Sequence, residues 1–182
     1  MNRPPYYVVD EIGFAVVATA AALGIDIFYM YGTINEANQT LDQRGKVINL
    51  ADISKNFVLL PEPFTSTNIG WGWFEQARLN LIIGTSTDPT IKAKSRMTDK
   101  YKPTLIPIKD ELLNQLGKSK AFDNHFPDRM KFDSINAYYY DTEKQKVVFN
   151  KAIDAVIIRN LELKVNNNKN CVRPTLLVDT QN

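Results

Sequence analysis

Three consecutive aliphatic residues, Leu81, Ile82 and Ile83, place the strongest constraint on how this chain folds. Successive side chains of a β-strand point to opposite faces of its sheet, so a strand with one face in water is apolar only at every second position. An uninterrupted apolar run therefore predicts a strand that is covered on both faces. We expect this strand, from Arg78 to Ile83, to lie in a central sheet.

Two helices are predicted in the first quarter of the chain. The first covers residues 6–23, contains five alanines and ends at Gly24, a common helix stop. The second begins with a capping box, in which Thr33 is the N-cap and Glu36 follows three residues later. We expect this helix to run to about Arg44 and to end at Gly45.

A third helix is predicted from about Pro103 to Leu116, because its apolar residues keep a 3.6-residue spacing and Gly117 follows them. Pro107 lies one turn into this segment. A proline inside a helix lacks a backbone donor and clashes with the preceding turn. The helix should therefore either start or bend at Pro107.

The other apolar segments predict strands, most of them short. Residues 161–165 alternate apolar and charged side chains, as a half-buried strand does. The predicted strands cover residues 25–31, 56–60, 71–73, 78–83, 155–165 and 172–178, and residues 137–140 and 146–149 are expected to form a hairpin.

This order of elements predicts an α+β fold: a central, mostly antiparallel sheet with helices packed on one face and a β-rich C-terminal extension. The length of 182 residues fits a single domain, residues 1–182. Within it we distinguish a helical N-terminal part (residues 1–45), a strand–loop–helix core (residues 55–118) and a β-rich C-terminal part (residues 135–180).

The chain offers few residues for catalysis or metal binding. Cys171 and His125 are the only cysteine and the only histidine, which excludes an internal disulfide, cysteine-rich zinc sites and most histidine-based metal sites. The sequence contains no glycine-rich phosphate loop and no GxSxG elbow. We therefore expect no catalytic residue, no cofactor and no metal. The alternative is a small enzyme that uses Asp88, His125 or an unrecognised metal site.

An uncharged run from Ile12 to Ile25 raises the question of a membrane segment. The run has 14 residues and is bounded by acidic residues on both sides. A membrane-spanning helix needs about 20 apolar residues. The run therefore predicts a buried helix, and we expect no membrane contact.

The segment that follows the central strand is strongly basic although the net charge of the chain is only +2. It is predicted to be a loop between the strand and the third helix. Such a loop would bind the phosphates of a nucleic acid, contact an acidic face of a neighbouring subunit, or serve only to solvate the surface. Its cations, our candidates for an interface or lumen loop, are Lys92, Lys94, Arg96, Lys100 and Lys102.

Trp71 and Trp73 alternate in sequence, so in a strand both would point to the same face. The simpler interpretation is that both fill the core under the helices. The alternative is an exposed pair that forms a partner surface.

The stretch from Trp73 to Leu116 resembles proteins of tailed phages and prophages of gut-type bacteria. In those proteins an apolar strand leads into a T-x-T/S-D-P turn, a loop with a basic residue, a Y/F-K-P-x-L-x-P-I segment and an amphipathic helix. The late segment from Ile153 to Val165 is also similar to their C-terminal strand. The matching motif residues here are Thr85, Thr87, Asp88 and Pro89, followed by Tyr101, Lys102, Pro103, Leu105, Pro107 and Ile108.

The resemblance implies a neck component of the virion: a tail terminator, a tail-completion protein or a connector ring. Such proteins are small α+β domains that form closed rings of about six or twelve copies and need no catalytic site. The expected partners are further copies of the chain, neighbouring portal, connector or tail proteins and, passively, DNA in the channel. The expected location is the neck of the virion, after assembly in the host cytoplasm. The alternative function is a nucleic-acid-binding or packaging accessory protein that uses the basic loop.

Overall fold

A computed structural model describes residues 6–46, 56–69, 74–123, 131–135, 138, 140–141 and 146–166. Its helices are α1 (Tyr6–Leu23), α2 (Ile34–Lys46), α3 (Ala93–Arg96), a π-helix (Met97–Leu105) and α4 (Ile106–Lys118). Its strands are β1 (Phe28–Gly32), β2 (Asn56–Pro61), β3 (Thr65–Ile69), β4 (Phe74–Ser86), β5 (Phe122–Asp123), β6 (Lys131–Ile135), β7 (Tyr140–Asp141), β8 (Lys146–Val147) and β9 (Ile153–Asn166).

Seven of these strands form one mixed sheet, and the two longest, β4 and β9, pair with each other at its centre. The strand order is β1-β2-β4-β9-β5, with β3 also paired to β4 and β6 also paired to β9. Among the described pairs, β1 and β2 are parallel and the others are antiparallel. The predicted α+β class with a mostly antiparallel sheet is confirmed.

The central strand β4 is covered on both faces, as its apolar run predicts. Leu81 and Ile83 belong to the core between the sheet and helices α1 and α4. Ile82 points the other way and packs with Phe57 and Leu59 of β2 in a second core. Burial of both faces explains why no polar residue interrupts the run.

Two of the longer helices, α1 and α4, pack on the same face of the sheet and against each other. The remaining one, α2, places Ala37 in the core on the opposite face, beside Val148 and Phe149. The sequence pattern predicts helices on one face only, so the position of α2 differs from the prediction. The second face is closed by α2 together with the segment between β8 and β9.

The predicted capping box at the start of α2 is present. The backbone N–H of Thr33 donates to Oε2 of Glu36 at 2.7 Å, and the backbone N–H of Glu36 donates to Oγ1 of Thr33 at 3.3 Å. These bonds from the Thr33 backbone and hydroxyl lower the pKa of Glu36. The helix continues through Gly45 to Lys46, so the predicted stop at this glycine is one residue early.

Replacing Glu36 with glutamine should flatten the acid dependence of stability. A lowered pKa in the folded state means that Glu36 stabilises the fold above its ordinary pKa of 4.5 and loses this contribution as the pH falls through the lowered value. Denaturant unfolding between pH 7 and pH 2.5 measures the effect. Thr33→Ala removes the hydroxyl, which is both a donor to the carboxylate and the acceptor of the Glu36 N–H, but it keeps the backbone donor to the carboxylate and should flatten the curve less. An acid dependence identical to wild type in Glu36→Gln would contradict the assignment.

A β-bulge in β9 shifts the side-chain alternation of this strand. Leu79 of β4 is opposite Leu161, whereas Leu81 is opposite Ile158, so β9 has one extra residue between these pairs. Asn160 adopts a positive φ of 54° there, and its backbone N–H donates to the side-chain oxygen of Asn80 at 3.0 Å. The bulge keeps apolar side chains of β9 on the α1 side before and after it.

The predicted strands at 25–31, 56–60, 78–83 and 155–165 correspond to β1, β2, β4 and β9, and the hairpin is present as the short pair β7–β8. Residues 71–73 with both tryptophans, the strand at 172–178, His125 and Cys171 lie outside the described residues.

Candidate functional site

The basic segment is helical, so the prediction of a loop was wrong for most of its length. Lys92 precedes the first turn of α3, and the other four cations lie in α3 and the π-helix. The residues at both junctions, Met97 and Leu105–Ile106, have helical φ and ψ, so α3, the π-helix and α4 form one continuous helix. We name this element, residues 93–118, the composite helix.

Two prolines four residues apart explain why the middle of the composite helix is wider than an α-helix. Pro103 lies inside the π-helix, and Pro107 lies in the first turn of α4. Neither residue has a backbone N–H, and a proline in a regular α-helix clashes with the carbonyl four residues before it. Here the N–H of Ile106 bonds five residues back, to the carbonyl of Tyr101. The last α-helical part starts at Ile106, next to Pro107 as predicted, but the helix itself is continuous from Ala93.

Arg96 is buried and forms an ion pair. The prediction that it is an interface or lumen cation is therefore wrong. The residue is 2 % exposed. Nη1 of Arg96 lies 2.9 Å from Oδ1 of Asp154 in β9. The remaining donors bind backbone carbonyls, Nε that of Ile91 at 2.7 Å and Nη2 that of Asp88 at 2.8 Å. The guanidinium thereby holds the segment before α3 and the start of the composite helix against the sheet.

Tyr101 completes this buried polar cluster. The ring is fully buried, and its hydroxyl donates to the carbonyl of Ile135 in β6 at 2.6 Å. Burial raises the pKa of the Tyr101 phenol, and the negative charge of Asp154 raises it further. The phenol therefore stays protonated at physiological pH and serves as a hydrogen-bond donor that joins the π-helix to a strand.

Asp88 has a structural role in the turn between β4 and the composite helix. Its Oδ1 accepts bonds from the backbone N–H and the hydroxyl of Thr90, both at 2.8 Å. These bonds from Thr90 lower the pKa of Asp88. A carboxylate with a lowered pKa is a weak general base near neutral pH. The geometry therefore does not favour Asp88 as the base of an enzyme.

Three of the five predicted cations are exposed, namely Lys92, Lys94 and Lys102, whereas Lys100 is half-buried. We name these three residues the exposed lysines. Lys94 and Lys102 lie on the first half of a helix whose start is held by Arg96, and Lys92 immediately precedes this helix. Their positions are therefore set by the fold, and this part of the surface presents a fixed positive charge.

The outer face of α1 is apolar. Its residues Phe14, Val17, Ala18 and Ala21 follow a spacing of three and four positions, so they lie along one side of the helix. Val17 is 67 % exposed and Ala21 is also exposed, while Phe14 and Ala18 are half-buried. The inner face, with Val8, Ile12 and Val16, belongs to the core. From Ile12 to Leu23 the only polar side chain of α1 is that of the buried Thr19, and a helix that is apolar all round is normally buried on all sides.

A cavity of about 110 Å³ lies beside this face, between α1 and the C-terminal end of α4. Glu11, at 2 % exposure, contributes a carboxylate to its wall, and Oγ of Ser119 donates to Oε2 of Glu11 at 3.0 Å. The other lining residues are Phe14, Ala15, Ala18, Gln115 and Lys118. The cavity therefore combines a buried acidic group with an apolar wall from α1 and a polar wall from the end of α4, which includes Lys118, and it opens next to the outer face of α1.

Within the described ranges, no group of three or more histidine, cysteine, aspartate or glutamate side chains is arranged to bind a metal ion. None of the helices in that part of the chain combines the length and the hydropathy needed to cross a bilayer. The sequence matches no protein-family model and no curated protein.

Proposed function

We propose that the chain is a non-enzymatic structural protein that forms a ring in the head-to-tail neck of a tailed phage, as a tail terminator, tail-completion protein or connector ring. The phage assignment rests on the sequence resemblance between Trp73 and Leu116. The self-association rests on the outer face of α1, the observation that carries the proposal.

The argument from α1 is energetic. Removing apolar surface from water contributes roughly 25 cal/mol per Å², and scattered exposed apolar residues are ordinary on a protein surface. The outer face of α1 differs because Phe14, Val17, Ala18 and Ala21 are contiguous along one helix. Small side chains at two of these positions let another backbone approach closely. Such a surface suits a permanent contact with a second copy of the chain.

Light scattering followed by negative-stain imaging tests the proposal directly. We expect the purified protein, alone or after addition of virion extract, to form closed rings of about six or twelve copies. A protein that stays monomeric at high concentration in both conditions would overturn the proposal.

Val17→Lys should prevent ring formation and leave the fold intact. The substitution places a charge in the middle of the proposed contact, at a position that is already in water in the single chain. We expect the molar mass to fall to that of a monomer whose circular dichroism spectrum shows the helix and strand content of wild type. The control is Gln39→Lys, which adds the same charge at an exposed position of α2 and should assemble as wild type. Rings of normal size in Val17→Lys would exclude this face from the contact.

The exposed lysines favour one alternative, a protein that binds nucleic acid. In that case the monomer would bind short duplex DNA, and its affinity would fall steeply as the salt concentration rises. A plot of the logarithm of the binding constant against the logarithm of the salt concentration would have a slope of about −1 for each phosphate contacted. Reversing the charge of Lys92 and Lys94 would then abolish binding. Absence of binding at low salt would leave the ring proposal.

A further inference from the structure

We infer that neighbouring copies associate head to tail, with an exposed lysine of one copy inserted into the cavity beside Glu11 of the next. The inference deepens the proposed function and rests on it, because it specifies which two surfaces meet in the ring.

The cavity has the chemistry of a cation site. Glu11 is buried, and its described hydrogen bond comes from the neutral hydroxyl of Ser119. Lys118 lines the same cavity, but among the described residues neither it nor any other lysine or arginine forms an ion pair with this carboxylate. A buried carboxylate is costly unless a positive charge or several donors compensate it. The carboxylate lines a cavity that is open to solvent, so a cation from outside can reach it.

The shape and polarity of the cavity fit the end of a lysine side chain. Its volume of about 110 Å³ is several times the roughly 30 Å³ that one water occupies in the liquid. Phe14, Ala15 and Ala18 offer apolar walls for a methylene stem, and Glu11 faces the ammonium group. The cavity also lies at the C-terminal end of α4, where the helix dipole favours a cation.

The two surfaces lie toward opposite ends of the composite helix. Lys92 and Lys94 are at its start, and Lys118 and Ser119, which border the cavity, are at its end. At about 1.5 Å per residue Lys92 and Lys94 are roughly 35 Å from the end of the helix, and Lys102 is still roughly 24 Å from it. One chain therefore does not satisfy its own cavity with its own exposed lysines. Two different surfaces that meet repeatedly give a heterologous interface, which closes into a ring when the rotation between copies permits it.

Two variants, each lacking one of the two surfaces, test the inference by mixing. Glu11→Gln removes the charge from the cavity and keeps the side-chain shape. A triple variant, Lys92→Glu with Lys94→Glu and Lys102→Glu, reverses the charge of the exposed lysines. The dissociation constant for assembly of each variant alone should be at least about 30-fold higher than that of wild type. This is the effect of removing one partner of a buried charge pair. Each variant retains one intact surface, so an equimolar mixture should form a one-to-one dimer.

Light scattering and native mass spectrometry distinguish the outcomes. If wild type forms no ring, the proposed function fails. If wild type forms rings and both variants do as well, or if the mixture stays monomeric, the head-to-tail pairing alone is overturned. Lys151→Glu is the charge control, because Lys151 is an exposed lysine near Asp42 of α2 that belongs neither to the exposed lysines nor to the lining of the cavity, and it should assemble as wild type.

Gln115→Trp provides a second test that changes neither the charge of the cavity nor the outer face of α1. Gln115 is half-buried on the wall that α4 contributes to the cavity, so a larger side chain fills it from the solvent side. We expect the same loss of assembly as in Glu11→Gln, with a monomer that remains folded by circular dichroism. If Lys118 of the same chain neutralised Glu11, filling the cavity would leave assembly unchanged, and the inference would be wrong.

Discussion

Arg96→Met should lower the free energy of unfolding by about 3–5 kcal/mol, the effect of removing one partner of a buried ion pair. Methionine has a similar length but no charge, so the carboxylate of Asp154 would lose the guanidinium that lies 2.9 Å away. The carbonyls of Asp88 and Ile91 would lose their donors as well. Denaturant unfolding at neutral pH measures the change.

Two further variants separate the loss of the pair from other effects. Lys94→Met removes a positive charge two residues away at an exposed position, and its effect should stay within about 0.5 kcal/mol. The double variant Arg96→Met with Asp154→Leu should regain most of the stability, because a buried ion pair and an apolar pair of similar volume are often close in free energy. If Arg96→Met lowered the free energy of unfolding no more than Lys94→Met does, the Arg96–Asp154 pair would not hold the composite helix on the sheet.

The Arg96–Asp154 pair also links the fold to the proposed interface. Asp154 is opposite Thr85 near the end of β4, so the ion pair joins the sheet to the first turn of the composite helix. The exposed lysines on either side of Arg96 take their positions from this contact. We expect Arg96→Met to weaken ring assembly even at temperatures at which the monomer is still folded.

Patterns of side chains along the chain were enough to predict most of the fold. The run from Leu81 to Ile83 predicted a strand buried on two faces, and the capping box of Thr33 and Glu36 gave the start of α2. Both signals are local, because strand alternation and helix capping depend on neighbours only a few residues away. The assignment of α2 to the second face depended on contacts with distant residues such as Val148, which no local pattern encodes.

The role of the basic segment was harder to predict because charge alone does not reveal burial. Arg96 stands in the same run as Lys92 and Lys94, and nothing in its immediate neighbours separates it from them. Its partner, Asp154, is far away in sequence. A signal was nevertheless present, since Asp154 is an acidic residue at the start of an apolar strand. A charge in such a position requires a partner, and arginine is the usual one.

The motif residues on which the proposed resemblance to phage proteins rests have mainly structural roles here. Asp88 organises a turn, and Tyr101 joins the π-helix to β6. Leu105 and Ile108 are fully buried in the core, and Pro103 lies within the π-helix. This distribution explains how the motif can specify a strand–turn–helix unit without containing any group for chemistry. Glu11 lies outside the motif, which is why the sequence did not point to the cavity.

Gly84→Ala should destabilise the protein by about 1–3 kcal/mol, the usual range for overpacking a core. Gly84 is directly opposite Phe57 in the pairing of β2 with β4, and the ring of Phe57 lies over the position that a Cβ would occupy. Phe57 is buried and also packs against Phe149, with ring centroids 6.1 Å apart, so it has little room to move. Denaturant unfolding compares the variant with wild type.

A double-mutant cycle shows whether the ring of Phe57 is the cause. Phe57→Leu alone should destabilise the protein because it leaves a space in the core. In that background Gly84→Ala should cost less than in wild type, with a coupling of about 0.5–3 kcal/mol in favour of the double variant. Ala77→Gly is the reverse change at a buried position of the same strand, where a Cβ is already accommodated. It measures the difference between glycine and alanine in β4 when no clash opposes the Cβ. Additive effects of Gly84→Ala and Phe57→Leu would mean that the glycine is required by the backbone of β4 and that the aromatic ring is not the reason.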